Sequence, residues 1–294
     1  MKRKSFLKLL GFTPFALSMD SLTDLNKLSD SFANTERMPV LFLGHGNPMN
    51  AIEENQFVEG FRQIAKTLPK PNAILCISAH WYTRGTKVTA MEMPRTIHDF
   101  GGFPQALFEV QYPAKGHPAL AKETKQLLDP VLVELDEKWG LDHGAWSVIK
   151  HLYPKADVPV IQLSIDYTKP ASFHYTLAKQ LSILRNKGIL IIGSGNIIHN
   201  LRMVDFANFN KVDHGFDWAI EARETINALL LDGNYQPLID YDKQSKAIQL
   251  AVPTPDHYLP LIYTLGLQQN GENMLLFNDH LLAGSLSMTS LKIV

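Results

Sequence analysis

The chain is poor in cysteine. Its one thiol, Cys76, excludes an intrachain disulfide and any cysteine-built zinc cluster. It lies inside the apolar run "AILCIS", where it reads as a small buried hydrophobe. Charge of one sign is also lacking. Lys and Arg number 28 against 29 Asp and Glu, a formal net charge of -1. Nothing favours a polyanion, so nucleic acid is not an expected partner. No stretch approaches the ~20 apolar residues of a membrane span, so no membrane is expected either. Several catalytic signatures are missing too. "GSGN" does not make the G-x-S-x-G elbow of a serine hydrolase. "GHGNP" and "GSGNI" lack the lysine and spacing of a phosphate loop. There is no H-E-x-x-H, no G-x-G-x-x-G opening a helix after the first strand, and no internal repeat.

The sequence does have ordinary globular composition. Of its 294 residues, 45% are hydrophobic and 19% charged, enough for a full core. Residues 1–37 stand apart as a leader and linker. "MKRKSFLKLLGF" resembles a twin-arginine export signal with lysine replacing the second arginine, and "ALS" suits a cleavage site. A leader on a cytosolic protein fits as well, so localisation stays open between periplasm and cytoplasm. The globular domain is expected over 38–294. Apolar runs predict strands over 39–43, 73–79, 86–91, 131–135, 158–165, 188–193, 273–277 and 285–292. Helices are expected over 54–67, 117–128, 145–153, 170–186, 213–231 and 257–266, with a long loop near 92–116. This alternation predicts a single-domain α/β sandwich with a mixed central sheet.

Histidine is abundant, with eleven in the chain, and its placement is unusual. "PVLFLGHG", "AILCISAHW" and "GILIIGSGNIIHN" each carry an apolar run to a histidine at or beyond its end: His45, His80 and His199. His257 in "VPTPDHYLP" and His143 in "LDHGAW" lie in Pro- or Gly-framed segments. Taken singly, each histidine is more often structural than functional. Together, at strand ends where α/β sheets build their sites, they point to a divalent metal held by imidazoles. His117, His151, His174, His214 and His280 read as structural.

Seven segments then acquire a common meaning: "MPVLFLGHGNPMN", "ISAHWYTRGTKVTA", "TIHDFGGFPQAL", "LDHGAWSVI", "GSGNIIHNLR", "PTPDHYLPLIY" and "GSLSM". Over residues 38–294 the chain resembles the 4,5-DOPA extradiol dioxygenases, class III extradiol enzymes related to the catalytic subunit of protocatechuate 4,5-dioxygenase. The resemblance implies an α/β fold, a mononuclear non-haem Fe(II) site in which Zn(II) is also found, and a small catechol plus O2 as substrates. It implies His45, His80 and His257 as metal ligands, with the adjacent Asp256 as an alternative, carboxylate ligand at the third position. His199 becomes an acid/base that also ligates the resting metal in some readings, and His143 a second active-site histidine. His98 and Asp99 fall in a pocket-lining segment. Trp81, Tyr82, Phe100, Phe103 and Tyr258 are candidate walls for the aromatic ring, each otherwise a core residue. Two rivals share the same residues: a zinc-dependent hydrolase, and a non-catalytic binding protein of the same fold. A monomer is the default expectation.

Overall fold

β-Branched and leucine side chains with nothing polar between them need both strand faces covered, and the structure supplies that cover. The computed structural model describes residues 32–209 and 211–294. The export-signal reading of the first residues lies outside the described residues. In chain order the elements begin β1 (Val40–Gly44), α1 (Gln56–Ala65), β2 (Ala73–Ser78), β3 (Tyr82–Thr83), β4 (Thr86–Thr89) and α2 (Gln105–Phe108). Next come α3 (Pro118–Leu127), β5 (Val133–Asp136), α4 (His143–Leu152), β6 (Val160–Gln162), β7 (Ile165–Asp166), α5 (Ala171–Leu181) and β8 (Ile189–Gly195). The chain continues through α6 (Asp217–Leu231), α7 (Gln236–Ile239), α8 (Lys246–Ala251) and α9 (Leu259–Gly266). It closes with β9 (Met274–Phe277), β10 (Leu281–Leu282), β11 (Leu286–Ser287) and β12 (Ser290–Ile293).

The main sheet has the order β6-β2-β8-β1-β12-β9. β6, β2, β8 and β1 run parallel, while β12 and β9 add on antiparallel, so the sheet is mixed. Side chains alternate across it with period two. Val40 and Phe42 of β1, Leu75 and Ile77 of β2, and Ile189 and Ile191 of β8 enter one core, closed by α5, α6 and α9. Leu41, Leu43, Ile74, Cys76, Leu190 and Ile192 enter the other, closed by α1 and α4. Phe57, Phe61 and Ile64 of α1 recur at helical spacing and are buried there. The result is a three-layer α/β sandwich in which Phe32–Val294 form one compact unit.

Some boundaries differ from expectation. The strand expected over 158–165 breaks into β6 and β7. The Ser164 hydroxyl takes the Lys87 N–H at 2.8 Å and meets Thr83 at 2.8 Å, turning the chain onto the small β3–β7 ribbon. The expected 285–292 strand likewise divides into β11, paired with β10, and β12 of the main sheet. Residues 32–37, expected as linker, are tied to the domain. Thr35 N–H donates to Asn186 O at 2.7 Å, and the Phe32 ring lies 5.0 Å from that of His117. No helix among the described residues is long and apolar enough to cross a membrane.

Candidate metal centre

Parallel strands put their carboxyl ends on one edge of a sheet. β2, β8 and β1 are adjacent, so the residues that follow them share that edge. His45 follows β1, with its N–H donating to Gly195 O at 3.0 Å. His80 lies two residues past β2. His257 comes from the segment before α9 and is docked over the end of β8, where Asn196 N–H donates to its carbonyl at 3.0 Å. Gly195 makes this approach feasible, because a Cβ there would stand 2.1 Å from His257 O. His199 is fixed by its N–H to Ala251 O at 2.9 Å, and the "GSLSM" segment backs its loop through the Ser287 hydroxyl and Ile198 N–H at 3.1 Å. His143 opens α4, whose N-cap is Asp142.

Nitrogens of His45, His80 and His257 all lie within 4.8 Å of one another. His45 Nε2 and His80 Nε2 are 3.3 Å apart. Two nitrogens on one tetrahedral ion at ~2.1 Å would stand ~3.4 Å apart. Each ring also has an outer partner at Nδ1. Ser194 Oγ donates to Gly144 O, so its lone pair receives His45 Nδ1–H at 3.0 Å and leaves Nε2 bare toward the centre. Asp256 Oδ2 bonds His257 Nδ1. Asp99 Oδ2 lies 3.4 Å from His80 Nδ1. The donor set therefore fits a divalent metal: three imidazoles, mutually close, two of them oriented by hydrogen bonds at Nδ1 and the third backed by a carboxylate.

Two more histidines complete the cluster. His199 stacks face to face on His257, with centroids 3.6 Å apart and 13° between planes. His143 lies 3.8 Å from His80 between ring centroids. Its backbone N–H donates to Asp99 Oδ1 at 2.8 Å. Its Nδ1 is 3.0 Å from the same oxygen, though out of line for a hydrogen bond. The electrostatics keep His45, His80 and His199 neutral. Burial, then repulsion among the histidines, holds His45 and His80 well below the ordinary imidazole range. Burial and then His257 push His199 down to about 3. The acids stay charged. Burial alone would raise Asp256, but its bond to His257 and the charge of that ring outweigh burial and hold it well below the usual carboxylate range. Burial is likewise outweighed at Asp99 by His143. For His45, His80 and His199 the neutral imidazole is also the form that binds a metal.

The wall candidates separate. The Phe100 ring is 5.4 Å from that of His143 and also touches Phe103 and Phe108. His98 backs Phe100 at 5.7 Å and bonds Val110 O through Nε2 at 2.9 Å. Tyr82 is half-buried, and burial, then Asp256 and Tyr241, push its phenol up to about 12. Trp81 is buried and stacks on Trp139 at 5.9 Å. Tyr258 is not brought to the cluster: its hydroxyl donates to Leu238 O at 3.0 Å and its ring packs on Tyr241.

Three supporting residues escape a reading of the sequence. Ser194 stands in "GSGN", which fits neither a nucleophile elbow nor a phosphate loop and so carries no signal of its own. Asp142 is fully buried and collects Ser78 Oγ at 2.6 Å, Gln162 Nε2 at 2.7 Å and Trp139 Nε1 at 3.2 Å. Its one available signal is that of an acid placed just before a helix. Gly144 must be small, because a Cβ would meet Ser78 Oγ at 2.4 Å and His80 Cδ2 at 2.7 Å.

Residues 38–281 match the family described as the catalytic LigB subunit of aromatic ring-opening dioxygenase. The chain belongs to the LigB family. It is 46% identical over 270 residues to a 4,5-DOPA dioxygenase extradiol of Escherichia coli, covering 90% of this chain and 98% of that one. A 4,5-DOPA dioxygenase extradiol of Beta vulgaris is 37% identical over 239 residues, 79% of this chain and 87% of the relative. The crystal structure of an uncharacterized protein from Escherichia coli K12 superposes with a TM-score of 0.76 at 42% identity, over 88% of this chain and all of that one. This LigB protein is thus an oxidoreductase of the extradiol dioxygenase type, with a histidine cluster that could hold a metal at the carboxyl edge of its sheet.

Proposed function

We propose that the protein cleaves a catechol such as L-DOPA between C4 and C5, beside its hydroxyl pair, giving a muconate semialdehyde, with Fe(II) held by His45, His80 and His257. The observation that carries this reading is the three converging imidazoles, with Nδ1 of His45 bonded to Ser194, Nδ1 of His257 bonded to Asp256, and Asp99 3.4 Å from Nδ1 of His80. The names of the relatives support the substrate class. Both atoms of O2 enter the product, so no outside reductant is needed. Ferrous iron would supply a Lewis acid that binds both catechol oxygens and offers a place for dioxygen.

The chain's own residues do the rest. His199, neutral and laid flat on His257, accepts the catechol proton and later returns it. His143, fixed by Asp99 and packed beside His80, hydrogen-bonds substrate or oxygen. Phe100, with Phe103 beside it, offers an aromatic face to the ring, and His98 stiffens that face from behind. Tyr82 is near enough to Asp256 to feel its charge, while Trp81 and Tyr258 are buried in the core.

The test is to purify the protein without oxygen, load Fe(II), and mix it with L-DOPA and other catechols in air. One O2 should be consumed per catechol as the yellow semialdehyde absorbance rises. His45→Ala should abolish uptake, and His199→Ala should lower it about 10²–10⁴-fold. No uptake across the panel with iron shown to be bound would overturn ring cleavage. Ester or amide hydrolysis by the Zn(II)-loaded protein would then replace it, since three imidazoles also suit zinc.

A further inference from the structure

Non-haem iron oxygenases ordinarily set one carboxylate among their ligands. Here the three converging groups are all imidazoles, and neutral ones leave a dication with its full charge. Two carboxylates stand directly behind the rings. Asp256 Oδ2 is bonded to His257 Nδ1. Asp99 places Oδ2 3.4 Å from His80 Nδ1 and Oδ1 2.8 Å from His143 N. Their side chains are only 25% and 18% exposed, so solvent screens them little. His45 has a neutral partner instead, the Ser194 hydroxyl. The fully buried Asp142 bonds Ser78, Gln162, Trp139 and Ala145 but no imidazole nitrogen.

We infer that Asp256 and Asp99 are positioning residues that supply, from behind His257 and His80, the negative charge usually carried by a ligating carboxylate. The inference rests on the reading of His45, His80 and His257 as the metal holders. Two charges of -1 balance a dication, so the centre is neutral overall without any acidic ligand. Asp256 also makes its imidazole a better donor by drawing on the His257 Nδ1–H, while Asp99 acts on His80 through its charge at 3.4 Å. Asp99 acts twice, because one carboxylate sits against the His80 ring and holds the backbone N–H of His143, linking metal binding to the substrate side.

Asp256→Asn and Asp99→Asn, singly and together, keep size and an acceptor oxygen while removing charge. Chelator competition would measure their affinity for Zn(II) and Co(II), and unfolding would be followed with and without metal. Each single variant should lose about ten- to hundredfold in affinity. The metal-free melting temperature should hold, while the rise caused by metal should shrink. The cobalt(II) visible spectrum should keep its band pattern, because the donor atoms are unchanged. Affinity within threefold of wild type, or an equal fall in metal-free stability, would overturn the inference. A changed cobalt band pattern would overturn it too, by making the aspartate itself a ligand. Wild-type protein that binds no metal would sink the metal-centre reading along with it. A tight wild-type site with unaffected Asn variants would sink this inference alone.

Discussion

At the scale of single residues, a side chain's neighbours decide between site and core more sharply than its position in sequence. Tyr258 adjoins His257 and is a natural wall candidate from sequence. Its hydroxyl nevertheless donates to Leu238 O at 3.0 Å, and the residue is 1% exposed. Tyr258→Phe should therefore leave KM for a catechol unchanged and cost about 1–3 kcal/mol of stability, because a buried carbonyl loses its donor. Steady-state kinetics beside urea unfolding would check both halves. A raised KM with unchanged stability would return the hydroxyl to the substrate pocket. The histidines are legible for a physical reason: imidazoles at the ends of apolar runs have few structural excuses. Their partners are less so. Ser194 reaches His45 across the chain, and no local pattern announces a contact 149 residues apart, whereas Asp99 is placed near the site by the family resemblance alone.

At the scale of elements, periodicity carries the main strands and the long helices, while breaks within them are set by tertiary contacts. The expected 158–165 strand divides because Ser164 is claimed by Lys87 and Thr83. The helices Gln236–Ile239 and Lys246–Ala251 are too short to complete a readable hydrophobic period, so the sequence does not announce them. The start of α4 shows how an element serves the centre. Asp142 caps it, His143 leads it, and Gly144 lets it approach His80. Gly→Ala inside a helix ordinarily gains about 1 kcal/mol. Here the new methyl would press Ser78 Oγ and the His80 ring, and overpacking costs about 1–3 kcal/mol. Gly144→Ala should thus lower both stability and metal affinity, with His80 displaced. Isothermal titration with Zn(II) and thermal unfolding would measure the two effects. A stabilised variant with wild-type affinity would show that the helix start has room to yield.

At the scale of the whole molecule, the two layers of helices bury some polar groups outside the histidine cluster, and these tie folding to pH. His174 of α5 is fully buried, with Nδ1 3.0 Å from the Tyr263 hydroxyl of α9. Burial pushes its pKa down to about 4, against a smaller upward pull from Asp166. In the unfolded chain the same ring titrates near ~6.5. Below that pH the unfolded state takes up a proton that the folded state refuses. Stability contributed by the neutral ring is therefore present above pH ~6.5, falls as pH drops toward the folded pKa, and levels off near it. The slope approaches about 1.4 kcal/mol per pH unit, and the total is on the order of 3 kcal/mol. Other buried histidines, His45 and His80 among them, add to the slope of the metal-free protein. The measurement must therefore be a difference. Unfolding free energies of wild type and His174→Gln, taken across pH 7 to 4, should converge or cross as wild type loses its share, because glutamine does not titrate. Parallel curves would show that His174 protonates in place, and that the packing of α5 on α9 is loose enough to admit the charge.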